Sequence, residues 1–226
     1  MTLARRLLLF TKPAVPGRVK TRLHGALTPE QAAELHQAFV DDVLERLTPG
    51  AFELVIAWAL APGEAVPETH WPSVVQRGDG LGDRLFTALA DAARGGATVA
   101  ALGSDHPTLP LAIVESAFAR VEAGAPIVIG PSLDGGYYLI ALAPAAVRPE
   151  LFADIAWSTS EVLATTLERA AALGLPVALL PPGADVDTPE DLAALATALG
   201  TQSELCPRTR ALLTAWGRLA EREVVR

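Results

Sequence analysis

The segment Ala97-Thr-Val-Ala-Ala-Leu102 decides the fold, and the polar sequence Gly103-Ser-Asp-His-Pro107 follows it directly. All of its residues but one are apolar, without the alternation of polar and apolar residues that marks a strand with one solvated face. Such a strand is buried on both faces, as the strands of parallel sheets are. The segment therefore predicts the central strand of an α/β protein.

Strand and helix patterns alternate on both sides of this segment. Apolar runs predict strands at 6–10, 53–58, 73–76, 126–129, 137–142 and 177–180. Helical spacing and end signals predict helices at 28–47, 85–92, 109–122 and 160–173, a helix with Thr188 as its N-cap, and a terminal helix at 208–222. The alternation predicts a mostly parallel sheet with helices on both faces, in which ligands bind beyond the carboxyl ends of the strands.

The bulk composition narrows the functional classes. We expect one domain over residues 1–226, with a C-terminal helical extension at about 204–222, because no repeat or clear linker interrupts the chain. A formal charge of −8 argues against nucleic acid as the partner, since duplex binding relies on many cations. Cys206 is the only cysteine, so no intrachain disulfide is possible.

Targeting signals are also missing from the sequence. The apolar run before Lys12-Pro13 is too short for the core of a signal peptide, and no stretch approaches the length of a membrane span. We therefore expect a cytoplasmic protein without a membrane partner. The sequence leaves the oligomeric state open.

The segment 10–23 concentrates positive charge in this acidic chain. It carries both lysines, Lys12 and Lys20, together with Arg18 and Arg22, and residues 1–23 contain six basic side chains and no acidic one. Cations beside a glycine, directly after a strand, favour a loop that binds phosphate oxygens. The alternative is an ordinary basic loop whose charges are solvated.

Carboxylates follow two other predicted strands. Asp105 comes after the central strand, and Asp185 and Asp187 alternate in an extended segment, so they should point to opposite sides. Oxygen ligands from two strand ends suit a hard divalent cation. Alternatively, Asp105 only caps the helix after Pro107, and Asp187 only pairs with the positive end of the next helix. The choice between Asp185 and Asp187 as a second metal ligand stays open.

Two glycine-containing loops are further candidates for substrate binding. Asp134-Gly-Gly136 would let a substrate approach the backbone while Asp134 accepts hydrogen bonds from hydroxyls, although a plain hairpin turn is the alternative. Gly78–Asp83 enters a predicted helix N-terminus and could bind a base or phosphate through backbone amides. The candidate substrate-binding residues are Lys12, Gly17, Arg18, Gly82, Asp83, Ser104, Asp134, Gly135, Gly136 and Tyr137.

Taken together, these motifs resemble the DUF2064 family of GT-A-type glycosyltransferases. The resemblance covers nearly the whole chain, and the family looks related to phospholactate guanylyltransferases and molybdenum-cofactor nucleotidyltransferases. The motifs are Phe10-Thr-Lys-Pro13 with Pro16-Gly-Arg-Val-Lys-Thr-Arg-Leu23, Gly103-Ser-Asp-His-Pro107, Gly130-Pro-Ser-Leu-Asp-Gly-Gly-Tyr-Tyr-Leu139, Ile155-Ala-Trp-Ser-Thr159 and Asp185-Val-Asp-Thr-Pro-Glu-Asp-Leu192.

This resemblance implies a Rossmann-like three-layer α/β/α sandwich, the GT-A or nucleotide-diphospho-sugar transferase fold. It implies a divalent metal, Mg²⁺ or Mn²⁺, at Asp105, with Asp187 in the position of the second ligand. It also places Lys20 and Arg22 as the catalytic basic pair that binds the triphosphate. One departure concerns the usual nucleotidyltransferase opening, Leu-Ala-Gly-Gly-x-Gly-x-Arg, in whose place this chain has Thr11-Lys-Pro-Ala-Val-Pro-Gly17.

Three functions compete at this point. We favour a metal-dependent nucleotidyltransferase that transfers a nucleoside monophosphate from a nucleoside triphosphate to a small phosphorylated acceptor, because the cations of segment 10–23 suit a triphosphate. The second is a GT-A glycosyltransferase with a nucleotide-sugar donor, and the third is a catalytically inactive nucleotide-binding protein. Release of pyrophosphate marks the first, release of a nucleoside diphosphate the second, and metal-independent nucleotide binding the third.

Overall fold

The computed structural model describes residues 4–202 and 204–219, and its strands form one seven-stranded sheet. The order across the sheet is β3-β2-β1-β4-β6-β5-β7, in which only β6 runs antiparallel to its neighbours. The predicted central strand, β4, therefore lies in the middle. The strands are β1 Arg5–Thr11, β2 Glu53–Trp58, β3 Ser73–Val75, β4 Thr98–Gly103, β5 Ile127–Pro131, β6 Tyr137–Leu142 and β7 Val177–Leu179.

Helices fill most of the connections between these strands. Thr28 and Thr188 act as helix N-caps, since each side-chain oxygen accepts a hydrogen bond from the backbone N–H three residues on, Gln31 and Asp191 respectively. The predicted N-cap at Thr188 is thereby confirmed. The α-helices are α1 Pro29–Leu47, α2 Leu81–Ala92, α3 Leu111–Glu122, α4 Val162–Ala172, α5 Pro189–Thr201 and α6 Pro207–Ala215.

The chain forms two compact units. Within the described residues, the first comprises 4–13, 47–103 and 110–184 and contains all seven strands; we call it the sheet unit. The second comprises 14–46, 104–109, 185–202 and 204–219, and we call it the helical unit. The organisation of residues 1–226 as one domain stays a prediction.

In the sheet unit, alternate strand residues supply a buried aliphatic core. Leu8 of β1 lies opposite Val55 of β2 and Ala101 of β4, and all three point into one cluster with residues of α2 and α4. α3 contributes no residue to that cluster, yet it contacts β4, β5 and β6. The sheet thus has helices on both faces, and the predicted three-layer α/β/α architecture is confirmed.

The helical unit has its own apolar core. It is built from α1, α5 and α6 and from the short turn that precedes α1, with Leu23, Leu35, Phe39, Leu199 and Leu213 fully shielded from solvent. Burial of a leucine or phenylalanine side chain contributes about 1.5–3 kcal/mol, so these residues hold the unit together. Leu23 belongs to the basic segment, which is therefore anchored in this core.

The terminal helix is shorter than predicted. α6 ends at Ala215 rather than continuing to residue 222, and residues 220–222 of that prediction lie outside the described residues. Gly217 has φ 68° and Arg218 N–H donates to Leu213 O, which is the Schellman pattern that ends a helix. In the part of the chain that the structure describes, no helix has the length and apolar character needed to cross a membrane.

Candidate active site

The basic segment is only partly exposed. Val19 and Lys20 are buried, whereas Lys12, Arg18 and Arg22 are exposed. Lys20 adopts a left-handed backbone conformation, with φ 46° and ψ 39°, and a single 3₁₀ turn over Thr21–Leu23 follows it. Non-glycine residues adopt this conformation at a cost of roughly 1–2 kcal/mol, so surrounding contacts must hold Lys20 in place.

Those contacts are made by the Lys20 ammonium. Nζ lies 2.5 Å from Asp105 Oδ1 and 3.1 Å from Asp187 Oδ1, and it donates to the Val186 carbonyl at 2.7 Å. The side chain is only 2% exposed, and Nζ lies 5.2 Å from the centre of the Phe39 ring. Burial alone would lower the pKa of Lys20, but the charges of Asp105 and Asp187 outweigh it and raise the pKa above its ordinary value.

Backbone hydrogen bonds hold the two carboxylate-bearing segments in place. The Val186 N–H donates to the Asp105 carbonyl at 2.9 Å, which joins the segment after β4 to the segment before α5. Asp191 accepts from the backbone N–H groups of Asp187 and Thr188 at 3.1 and 2.8 Å. Burial alone would raise the pKa of Asp191, but these hydrogen bonds and the nearby charge of Lys20 lower it.

Arg22 lies at the exposed side of the same cluster. Its Nη1 is 3.7 Å from Asp187 Oδ2, and 64% of its side chain is exposed. The structure therefore brings together four of the predicted site residues, Lys20, Arg22, Asp105 and Asp187. Of the two carboxylates that the sequence left open, Asp187 is the one that contacts Lys20.

The carboxylates of Asp105 and Asp187 fit a hard divalent cation whose remaining ligands come from a substrate and from water. Asp105 and Asp187 each keep a partly exposed side chain, 43% and 34%, and point an oxygen at a common cation, the Lys20 ammonium. Within residues 4–202 and 204–219, no group of three or more His, Cys, Asp or Glu is placed to hold a metal. Two carboxylates would suit Mg²⁺, which commonly takes one or two from the protein and the rest from phosphates and water.

The neighbours of Asp105 are packed inward. Ser104 is buried, and burial together with the positive charge of Arg46 lowers the pKa of His106 to about 4. Its imidazole is therefore neutral at pH 7.

Gly17, the glycine of the basic segment, has φ 78° and forms an exposed turn.

In the sheet unit, the Asp134-Gly-Gly136 turn is internally fixed. Asp134 Oδ1 accepts from the Gly136 N–H at 3.0 Å, and Gly135 has φ 91°. A Cβ at Gly135 would lie 2.2 Å from the Ser160 carbonyl oxygen, so only glycine fits there. The hydrogen bond of Asp134 to its own turn matches the hairpin alternative, while its exposure leaves the second carboxylate oxygen open to solvent.

Packing accounts for two other candidates of the sheet unit. A Cβ at Gly82 would lie 2.5 Å from the Phe152 carbonyl oxygen and 2.9 Å from Trp157 Nε1. The Tyr137 ring packs edge-on against Trp157 with 6.3 Å between ring centres, and burial raises the pKa of Tyr137. Trp157 is thus a packing residue, whereas Asp83 lies exposed in the first turn of α2.

Sequence reasoning missed two parts of the Lys20 environment. In the sequence, Phe39 was only one of the apolar residues at helical spacing in the predicted helix 28–47, and the Val186 carbonyl has no signature in a sequence. The left-handed backbone of Lys20 had no signal either, since lysine is not typical of that region.

Comparison with solved structures gives the same fold. A presumed nucleotide-diphospho-sugar transferase from Desulfovibrio desulfuricans G20 is 30% identical, with a TM-score of 0.87, over 97% of this chain and 100% of that one. CMP:2-keto-3-deoxy-manno-octonic acid synthetase complexed with CTP is 16% identical, with a TM-score of 0.53, over 88% of this chain and 99% of that one.

A third solved structure, Rv0371c of Mycobacterium tuberculosis H37Rv in complex with manganese, is 17% identical, with a TM-score of 0.52, over 86% of this chain and 98% of that one. Identities of 16–17% show a shared fold. No curated protein matches the sequence.

The similarity to the protein from Desulfovibrio desulfuricans confirms the predicted fold and the assignment of this chain to the transferases. The family profile described as "Uncharacterized protein conserved in bacteria (DUF2064)" matches residues 42–159, a stretch that includes Asp105, the Asp134-Gly-Gly136 turn and Trp157. The resemblance seen in the motifs and the match over half of the chain agree, and the chain belongs to the DUF2064 family.

Proposed function

We propose that this protein is a metal-dependent nucleotidyltransferase that transfers a nucleoside monophosphate from a nucleoside triphosphate to a small phosphorylated acceptor. One observation carries the proposal: two carboxylates, Asp105 and Asp187, converge on one cation, with the exposed guanidinium of Arg22 beside them. Two carboxylates beside an exposed arginine suit phosphoryl chemistry, which depends on positioning and charge neutralisation.

The reaction needs one bond to form and one to break. A phosphate oxygen of the acceptor attacks the α-phosphorus of the triphosphate, the bond between that phosphorus and the bridging oxygen breaks, and pyrophosphate leaves. A divalent cation, Mg²⁺ or Mn²⁺, bound at Asp105 and Asp187 would neutralise phosphate oxygens. Arg22, with its exposed fork of N–H donors, would bind oxygens of the triphosphate, and Arg18 and Lys12 would add positive charge.

Backbone groups would bind the rest of the substrates. In the helical unit we assign this role to Gly17 and Ser104. For the sheet unit, taken by itself, substrate binding stays a separate prediction for Gly82, Asp83, Asp134, Gly135, Gly136 and Tyr137. The left-handed turn at Gly17 supports the assignment in the helical unit. In the sheet unit, the N-terminus of α2 at Leu81 supports the prediction, because backbone N–H groups without intrahelical partners favour anions.

Glycosyl transfer from a nucleotide sugar is the second candidate. The relative from Desulfovibrio desulfuricans favours it, because that protein is named for nucleotide-diphospho-sugars. The same two carboxylates would then hold the cation that supports a leaving nucleoside diphosphate. The products distinguish the two reactions, since nucleotidyl transfer releases pyrophosphate.

A thermal-shift panel tests the proposal. The purified protein is heated with ATP, CTP, GTP or UTP, or with UDP-glucose or GDP-mannose, each with and without Mg²⁺ or Mn²⁺. We expect a nucleoside triphosphate to stabilise the protein only when the metal is present, by about 2.7 kcal/mol at a hundredfold excess over its Kd. Stabilisation by nucleotide sugars alone would support glycosyl transfer instead.

Matched variants locate the metal. Asp187→Asn should abolish the metal-dependent part of the stabilisation, and Asp185→Asn, two residues away in the same extended segment, should leave most of it. Asp105→Asn should behave like Asp187→Asn because both carboxylates face Lys20. An unchanged metal dependence in Asp105→Asn would show that the metal binds elsewhere.

A further inference from the structure

The Lys20 ammonium has no N–H donor left for a substrate. An ammonium carries three donors, and Nζ has three acceptors within hydrogen-bond distance: Asp105 Oδ1 at 2.5 Å, Val186 O at 2.7 Å and Asp187 Oδ1 at 3.1 Å. A phosphate oxygen could be bound only if one of these contacts broke. With its side chain 2% exposed, Lys20 is also shielded from anything in solution.

Lys20 therefore takes the place of a cation between the two carboxylates. We infer that Lys20 is a positioning residue that competes with the divalent metal for Asp105 and Asp187, so that metal alone binds poorly and enters together with a nucleoside triphosphate. This inference rests on the metal site of the proposed function. It assigns Lys20 a role that acts through the carboxylates rather than through direct contact with phosphate.

Lys20 and a divalent metal compete for Asp105 and Asp187 because both are positively charged. Asp105 and Asp187 together carry two negative charges, and the buried Lys20 ammonium contacts both, while Arg22 lies at the exposed side, 3.7 Å from Asp187 Oδ2. A divalent ion that approaches these oxygens without an anion meets the positive charge of Lys20, which is fixed between them. A triphosphate reverses that balance, because its oxygens add negative charge beside the metal.

The position of Lys20 is fixed by its neighbours on the chain. Val19 and Leu23 on either side are buried at 1% and 0% exposure, and the Phe39 ring lies 5.2 Å from Nζ. The backbone at Lys20 cannot move without disturbing this core. Only the end of the side chain can shift, which fits a local exchange of partners.

Binding of Mn²⁺ measured by electron paramagnetic resonance tests the inference without any turnover. The signal of free Mn²⁺ is titrated with wild-type protein and with Lys20→Met, both without nucleotide. We expect Mn²⁺ to bind Lys20→Met at least about tenfold more tightly, because the variant removes a positive charge next to the carboxylates. Equal or weaker binding by Lys20→Met would overturn the competition.

Two controls make the result specific. Arg22→Met removes a cation that is exposed and farther from the carboxylates, so it should change Mn²⁺ binding much less. Adding Asp105→Asn to Lys20→Met should abolish the gain, which places the ion at the carboxylates. Lys20→Arg keeps the charge and should show no gain.

Wild-type protein gives an independent test if Lys20→Met fails to fold. Its affinity for Mn²⁺ should be at least about tenfold higher with CTP or GTP present than without, after correction for metal held by free nucleotide. Tight binding of Mn²⁺ alone would refute the inference. If Lys20→Met gains Mn²⁺ binding but no nucleotide binds to either protein, the competition stands and the proposed function fails.

Discussion

Replacing Asp42 by alanine should destabilise the protein strongly, because this buried carboxylate of α1 caps the N-terminus of α6. Asp42 is 1% exposed and accepts from Arg208 N–H at 3.0 Å, Thr209 N–H at 2.9 Å and the Thr209 hydroxyl at 2.6 Å. Cys206 holds the N-cap position of α6 without a side-chain cap of its own. The first N–H groups of a helix have no intrahelical partner, so Asp42 satisfies two of them.

The magnitude follows from the hydrogen bonds that are lost. A hydrogen bond to a charged group contributes about 1.5–3 kcal/mol, and neighbouring contributions are not additive. We expect Asp42→Ala to lower the free energy of unfolding by about 3 kcal/mol, which for a chain of this size lowers Tm by roughly 6–12 °C. Urea unfolding followed by far-UV circular dichroism gives the first value and calorimetry the second.

Asp41→Ala is the matched control. Asp41 is the adjacent carboxylate on the same helix, and it accepts an exposed hydrogen bond from Gln37 Nε2 at 2.9 Å. Such surface contacts contribute a few tenths of a kcal/mol, so the control should change the free energy of unfolding by less than about 0.5 kcal/mol. Similar losses in the two variants would refute the assignment of Asp42 as the cap of α6.

Three further predictions concern stability and reactivity. Gly135→Ala should cost about 3 kcal/mol because its Cβ would meet the Ser160 carbonyl, whereas Gly96→Ala, with φ 82° and no atom within 4 Å, should cost only about 1 kcal/mol in urea unfolding. Burial raises the pKa of Cys206 to about 12, so native protein at pH 8 should resist Ellman's reagent until denaturant is added. Asp191→Asn should lose about 1 kcal/mol at pH 7. Because folding lowers the pKa of Asp191, that loss should be fully present above its unfolded pKa, shrink as the pH falls from there and vanish once the pH has passed through its lower folded pKa.

The sheet could be predicted because each strand carries its own signal. The apolar run at β4 and the Thr-Pro-Glu-Asp sequence at the start of α5 depend on residues next to each other, and both were placed correctly. The end of α6 was missed because the sequence after Gly217 is rich in good helix formers, whereas the left-handed turn at Gly217 ends the helix.

The sequence named residues that the structure brings together, but it did not show the contacts between them, and their roles stay predictions. Lys20, Asp105 and Asp187 were all named, but the sequence gives no measure of how far apart residues separated by 85 and 167 positions lie in space. A lysine in a basic loop was expected to bind phosphate. Its burial between two carboxylates became visible only when the fold brought them together.

The site also shows which of its parts can move. The Asp187 N–H donates to the Asp191 carboxylate in the capping box of α5, and the Val186 N–H donates to the Asp105 carbonyl in a main-chain hydrogen bond. The two carboxylates are therefore held by elements that persist whichever cation lies between them. Lys20 reaches them through a flexible side chain, so the cation is the part of this arrangement that can be exchanged while the carboxylates stay in place.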